Sequence, residues 1–157
     1  MEIIIKTATI NDLPAIRDLN RLLFERESQL FDDTIDLQWT NAEENKNYFS
    51  KRILEDDNCI FVAWANDKII GYLAGGLSQA SSYRIPMKLA ELENMLVLEE
   101  YRGQNAGSML CQAFADWSKS KGVNRLRVVA SAGNSKGINF YRKNGFFDHE
   151  LILEKNI

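Results

Sequence analysis

The segment Arg102-Gly103-Gln104-Asn105-Ala106-Gly107-Ser108 has the composition of an anion site. It follows the apolar run Met95-Leu96-Val97-Leu98 and precedes a run with helical spacing, so it reads as a glycine-bearing loop that leaves a strand and opens a helix. The first amides of a helix lack intrahelical acceptors, and the aligned peptide dipoles add partial positive charge at the same end. A phosphate or diphosphate can sit on such a loop without a dedicated lysine.

Spacing removes two kinds of phosphate loop. No Gly-Lys-Ser/Thr follows, as a nucleoside-triphosphate loop would require, and there is no Gly-x-Gly-x-x-Gly for a dinucleotide fold. What remains is Arg102-x-x-Asn105-x-Gly107. A second patterned stretch lies downstream: Val128-Val129-Ala130 reads as a strand, Asn134 ends a polar turn, and Ile138 and Tyr141 share one face of a short helix that Gly145 follows. That stretch ends Phe140-Tyr141-Arg142-Lys143-Asn144-Gly145-Phe146. In these two segments the chain resembles the GNAT N-acetyltransferase superfamily, whose acyl-CoA loop is written Arg/Gln-x-x-Gly-x-Gly/Ala and whose later helix ends Phe-Tyr-x-x-x-Gly-Phe. Glu99 stands where the family often has proline, and Asn105 where it usually has the first motif glycine. Asparagine tolerates left-handed backbone and is a favoured helix N-cap, so the loop is expected to survive with weaker or displaced phosphate contacts.

The resemblance implies acetyl-CoA as co-substrate, no metal, and acyl transfer to an amine by direct attack in a ternary complex. It places the pantetheine arm on the backbone of Met95, Leu96 and Val97, and the pyrophosphate on Arg102, Gly103, Gln104, Asn105, Ala106, Gly107 and Ser108. Asn134 would bond the pantetheine amides, against the simpler role of a turn or cap residue. Tyr141 would bind the cofactor at its sulfur, protonating or hydrogen-bonding the departing thiolate, against the simpler role of a packed aromatic. A lysine-like amine is neutral in roughly one molecule in two thousand at pH 7, a handicap of about 4–5 kcal/mol, so a base or strong desolvation is required. Glu93 matches a carboxylate often found on this strand and is the expected base; Glu91, two residues away on the same face, is its rival. A salt bridge would explain either carboxylate equally well. A non-catalytic acyl-CoA-binding or regulatory module is the alternative function, and a different phosphate ligand is a third.

These residues need a scaffold. Glu2 to Thr7 reads as a strand; Thr9 or Asn11 then caps a helix to about Glu27 with Leu13, Ile16, Leu19 and Leu23 on one face. Ala42 to Leu54 is a second helix, and Asn58 to Ala65 and Lys68 to Leu77 form a hairpin around Asn66-Asp67. Lys88 to Leu98 is the main strand. A helix from about Asn105 to Lys121, with Ala106, Met109, Leu110, Ala113 and Trp117 inward, crosses to the strand Arg125 to Ala130, which makes the two strands parallel neighbours. A last strand should hold His149 and Leu151-Ile152-Leu153. The resemblance implies one α/β N-acetyltransferase domain over residues 1–157, with a mixed sheet of about six to seven strands flanked by helices and a splayed parallel strand pair.

Composition narrows the partners. The chain has 157 residues, 45% hydrophobic and 26% charged, the usual make-up of a globular domain. Apolar runs are too short to cross a bilayer and the start does not read as a signal peptide, so no membrane partner and a cytoplasmic location are expected. Cys59 and Cys111 have no metal-ligand or redox spacing and read as reduced core residues. His149, the one histidine, has no triad or zinc motif around it. Residues 25–57 carry ten acids against four bases, a balance of −6 within a total of −3. In the family this region borders the acceptor site, so a cationic primary amine, whether a polyamine, an aminoglycoside or a lysine of a peptide or protein, would suit the layout; solvated helix faces explain the same run. Nucleic acid is disfavoured by a calculated pI of about 5.3. Members of the superfamily often dimerise, and Leu151-Ile152-Leu153 could pair as an edge strand in a homodimer.

Overall fold

In the computed structural model, which describes all 157 residues, Asn66 and Asp67 take φ of 50° and 60°. Two successive left-handed residues are what a tight hairpin turn needs, and they join β2 (Asn58–Ala65) to β3 (Lys68–Gln79). β1 (Ile4–Thr7) pairs antiparallel with β2, and β4 (Lys88–Val97) antiparallel with β3. β5 (Arg125–Val128) pairs parallel with β4, giving one mixed sheet in the order β1-β2-β3-β4-β5. Helices α1 (Leu13–Leu30) and α2 (Glu43–Leu54) precede β2; α3 (Ala106–Ser120) joins β4 to β5, and α4 (Ser135–Lys143) follows β5.

Alternation along the strands splits the core into two apolar clusters. Ile60, Val62, Tyr72 and Leu96 pack with Leu13, Ile16 and Leu19 of α1 and Phe49 of α2. Cys59, Ala63, Leu73, Ala90 and Leu92 pack with Leu110, Cys111 and Phe114 of α3. The α1 face is the one its spacing predicts. The α3 face is rotated from the expected one: Ala106, Leu110, Cys111, Phe114 and Ser118 are buried, while Met109, Ala113 and Trp117 lie on its flanks. Phe114 takes the centre because Gly75 on β3 leaves room for it; a Cβ there would come within 2.8 Å of the ring.

The sheet carries an irregularity in the strand that matters most. Gly75 is opposite Leu92 and Ala74 opposite Asn94, so Glu93 is an extra residue, a β-bulge. The bulge changes which side chains face which way. Before it Ala90 and Leu92 point to the α3 side; after it Leu96 points to the α1–α2 side while Met95 and Val97 border the α3 cluster.

The sheet has five strands, not six or seven. β5 stops at Val128, and nothing after α4 is a strand. Residues 147–157 make no backbone hydrogen bond. Side chains hold the segment instead, through Arg142 with Asp148, Arg84 with Glu150, and the Arg125 guanidinium over the Phe147 ring. No helix is long and apolar enough to cross a membrane.

Candidate active site

The loop between β4 and α3 presents a row of free donors. Arg102 N–H donates to the Glu99 carbonyl and Met109 N–H to the Asn105 carbonyl, but the amides of Gly103, Gln104, Asn105, Ala106, Gly107 and Ser108 between them donate to no atom of the chain. The loop achieves this with two left-handed residues, Gly103 at φ 74° and Asn105 at φ 70°. Asn105 thus does what the sequence allowed, but as a left-handed residue and not as a side-chain cap, since it makes no cap bond. The other glycine works differently. A Cβ on Gly107 would lie 3.0 Å from the Phe140 ring, so its absence lets the start of α3 close onto α4.

Arginines flank the loop. Arg102 Nε donates to the Val97 carbonyl at 2.9 Å and ties the loop to the end of β4. Burial, and then the like charge of Arg26 from α1, pull the Arg102 pKa below the usual guanidinium value. Two cations that repel each other, with free amides next to Arg102, form an environment that an anion would relieve. Sequence reading missed Arg26, because in an acidic stretch it looked like one charge of a solvated helix.

Beside the loop the parallel pair opens. The last β4–β5 partners are Leu92 and Val128, yet β4 runs on through Met95, Leu96 and Val97 with only β3 beside it. Its second edge is therefore available over these residues. Glu93 is exposed as a residue while its side chain is only 26% exposed, so part of its open surface is backbone. The backbone groups named from the sequence thus line the opening that leads to the amide loop.

Asn134 and Tyr141 come from the segment that follows β5. Asn134 caps α4, its Oδ1 accepting from Gly137 N–H at 3.0 Å, while its Nδ2 donates to nothing. Tyr141 packs edge-on against Phe140 and Phe146, with ring centroids 5.3 and 5.6 Å away, and its hydroxyl has no partner. Burial pushes its pKa well above the usual phenol value, and Cys111 and Glu27 add to the effect, so it stays protonated.

The strand carboxylates are both engaged. Glu93 accepts from Arg52 Nε at 2.5 Å and from Arg52 Nη2 at 3.0 Å, and it also takes the Tyr48 hydroxyl. Asn94, next to it at the bulge, donates to the same Tyr48 oxygen at 2.9 Å. Burial and then Glu93 raise the Tyr48 pKa, which keeps that hydroxyl a donor. Glu91 pairs with Arg127 of β5 at 2.7 Å. The salt bridges that sequence reading weighed against catalysis exist for both residues. Their partners, Arg52 and Arg127, come from α2 and β5, and no local spacing pointed to them.

A mixed sheet whose parallel pair opens beside an amide-lined helix start defines the protein as α/β. The model of the acetyltransferase (GNAT) family matches residues 14–146, and the chain belongs to that family. It is 28% identical, over 78% of its length, to the uncharacterized N-acetyltransferase YobR of Bacillus subtilis, and 25% identical, over 67%, to the uncharacterized N-acetyltransferase MJ1207 of Methanocaldococcus jannaschii. It spans about half the length of these curated relatives, 47% and 46% respectively. Among solved structures, the BH1408 protein from Bacillus halodurans superposes with a TM-score of 0.85 at 19% identity, over 98% of this chain and 99% of that one. The aminoglycoside N-acetyltransferase AAC(6')-Iy, bound to the bisubstrate analogue CoA-S-monomethyl-acetylneamine, superposes with a TM-score of 0.77 at 17% identity, over 100% and 99%. These likenesses establish a shared fold.

Proposed function

We propose that residues 1–157 form one N-acetyltransferase domain that moves an acetyl group from acetyl-CoA to a primary amine by direct attack in a ternary complex. The observation that carries this reading is the run of free amides from Gly103 to Ser108 at the end of an opened β4. The ligand's diphosphate would rest on those amides with Arg102 and Arg26 beside it, and its arm along Met95, Leu96 and Val97, with Asn134 Nδ2 as a further donor. Acetyl-CoA supplies the acyl group as an activated thioester. Tyr141, half-buried and protonated, would give its proton to the leaving sulfur. Cys59 and Cys111 are poor nucleophiles, because burial pushes both thiols up to about 12, and this favours direct attack over an acyl-enzyme. Their buried, unpaired state suits a reducing compartment and supports a cytoplasmic location.

The acceptor is a cationic amine, in keeping with the acidic α1–α2 stretch and with the aminoglycoside analogue carried by the neighbour AAC(6')-Iy. The exposed Leu151, Ile152 and Leu153 supply a contact for a homodimer, which sedimentation would register. Incubation with acetyl-CoA and a panel of polyamines, aminoglycosides and peptides, followed by thiol release, tests the reaction. One observation favours a second reading, a non-catalytic acyl-CoA-binding module: both strand carboxylates are tied up by arginines. That reading predicts acetyl-CoA binding with no thiol release on any amine.

A further inference from the structure

A carboxylate outside the main strand is free where Glu91 and Glu93 are not. Leu23 and Glu27, four residues apart on α1, and Phe31 just past its end run toward the segment that follows β5. Leu23 packs on the cluster that holds Tyr72 and Leu96, and the Phe31 ring lies 3.5 Å from where a side chain on Gly133 would begin. Glu27, between them, accepts a hydrogen bond from Ser131 Oγ at 3.1 Å, just beyond the end of β5. It forms no ion pair with any basic side chain, although it is partly buried. One neutral hydroxyl leaves most of its lone pairs open. Its charge is among the causes, after burial and Cys111, that raise the Tyr141 pKa.

Resting on the acetyltransferase reading, we infer that Glu27 is the catalytic residue that anchors the cationic acceptor and takes its proton. A half-buried carboxylate without a cation is costly, and an ammonium group docking on its free oxygen would offset that cost. The ammonium gives Glu27 one proton, which passes to solvent, and the neutral nitrogen then bonds to the thioester carbonyl carbon. As the carbon–sulfur bond breaks, Tyr141 protonates the sulfur; the second proton leaves the nitrogen for Glu27 and returns to Tyr141. The balance is one amide, one free thiol and one proton released for each ammonium consumed.

The test compares wild type with Glu27→Gln and Glu27→Asp, measuring acetyl-CoA affinity by calorimetry and kcat and KM for the best amine. Glu27→Gln should keep wild-type acetyl-CoA affinity, raise the amine KM and lower kcat, for a combined loss of about 10²-fold or more in kcat/KM. Glu27→Asp should recover part of that loss. Wild-type kinetics in Glu27→Gln, with wild-type enzyme turning over, overturn the role of Glu27 and leave the acetyltransferase reading intact. Loss of acetyl-CoA binding in Glu27→Gln makes the residue structural and overturns the role as well. A wild-type protein that binds acetyl-CoA but acetylates nothing overturns both.

Discussion

The two halves of β4 differ in what flanks them. Leu89 to Leu92 lies between β3 and β5, and Ala90 and Leu92 are sealed beneath α3. Glu93 to Val97 keeps β3 on one side only, and it starts with the bulged Glu93 and Asn94. One extra residue thus ends the paired stretch and starts a strand whose free edge can receive another extended chain. The paired half should carry stability and the opened half function.

Changes to the paired half should have the largest effect. Phe114→Ala empties the fully buried site facing Gly75 and should cost about 3–5 kcal/mol in urea denaturation. A loss below about 1 kcal/mol would mean that this half is not where stability resides.

In the opened half the same comparison predicts a rate effect. Tyr141→Phe should lower kcat about 10²-fold while leaving urea stability and acetyl-CoA affinity nearly unchanged. Arg52→Ala should act the other way, costing about 1–2 kcal/mol of stability because Glu93 loses its bidentate cation in a partly exposed setting. Glu93→Gln should then affect kcat/KM less than Tyr141→Phe. Gly103→Ala should cost about 1 kcal/mol through its dihedral alone, since no atom lies near the added Cβ, and should weaken acetyl-CoA binding in calorimetry.

A further effect concerns pH. Cys59 and Cys111 belong to the paired half, and burial raises both thiols to about 12 in the folded chain. Because the folded value is the higher one, their contribution is whole below the ordinary thiol pKa of about 8.5 and is lost as pH rises from there through about 12. Urea midpoints measured across that range should fall, and Cys59→Ala with Cys111→Ala should flatten the fall.

Local signals carried most of the fold. Asn66-Asp67 specified the hairpin, apolar spacing specified α1, and the glycines with Asn105 specified the amide loop, because each depends on neighbours within a few residues. What was not legible depended on distant partners. The α3 face turned because Gly75 makes room for Phe114 across the core. The expected last strand is missing because side-chain pairs, not a backbone ladder, hold the segment after α4. Arg26 and Glu27 were hidden for a similar reason: their meaning comes from Arg102 and Ser131, about 75 and 104 positions along the chain.

The central claim is that the opened edge and the amide loop form one continuous binding surface. The direct measurement is an amide NMR titration of the labelled protein with acetyl-CoA. The account predicts that the largest shifts fall on Gly103 to Ser108 and on Met95 to Val97, with Leu89 to Leu92 nearly still. Saturable shifts confined to other parts of the molecule, or no shifts at all, would contradict it.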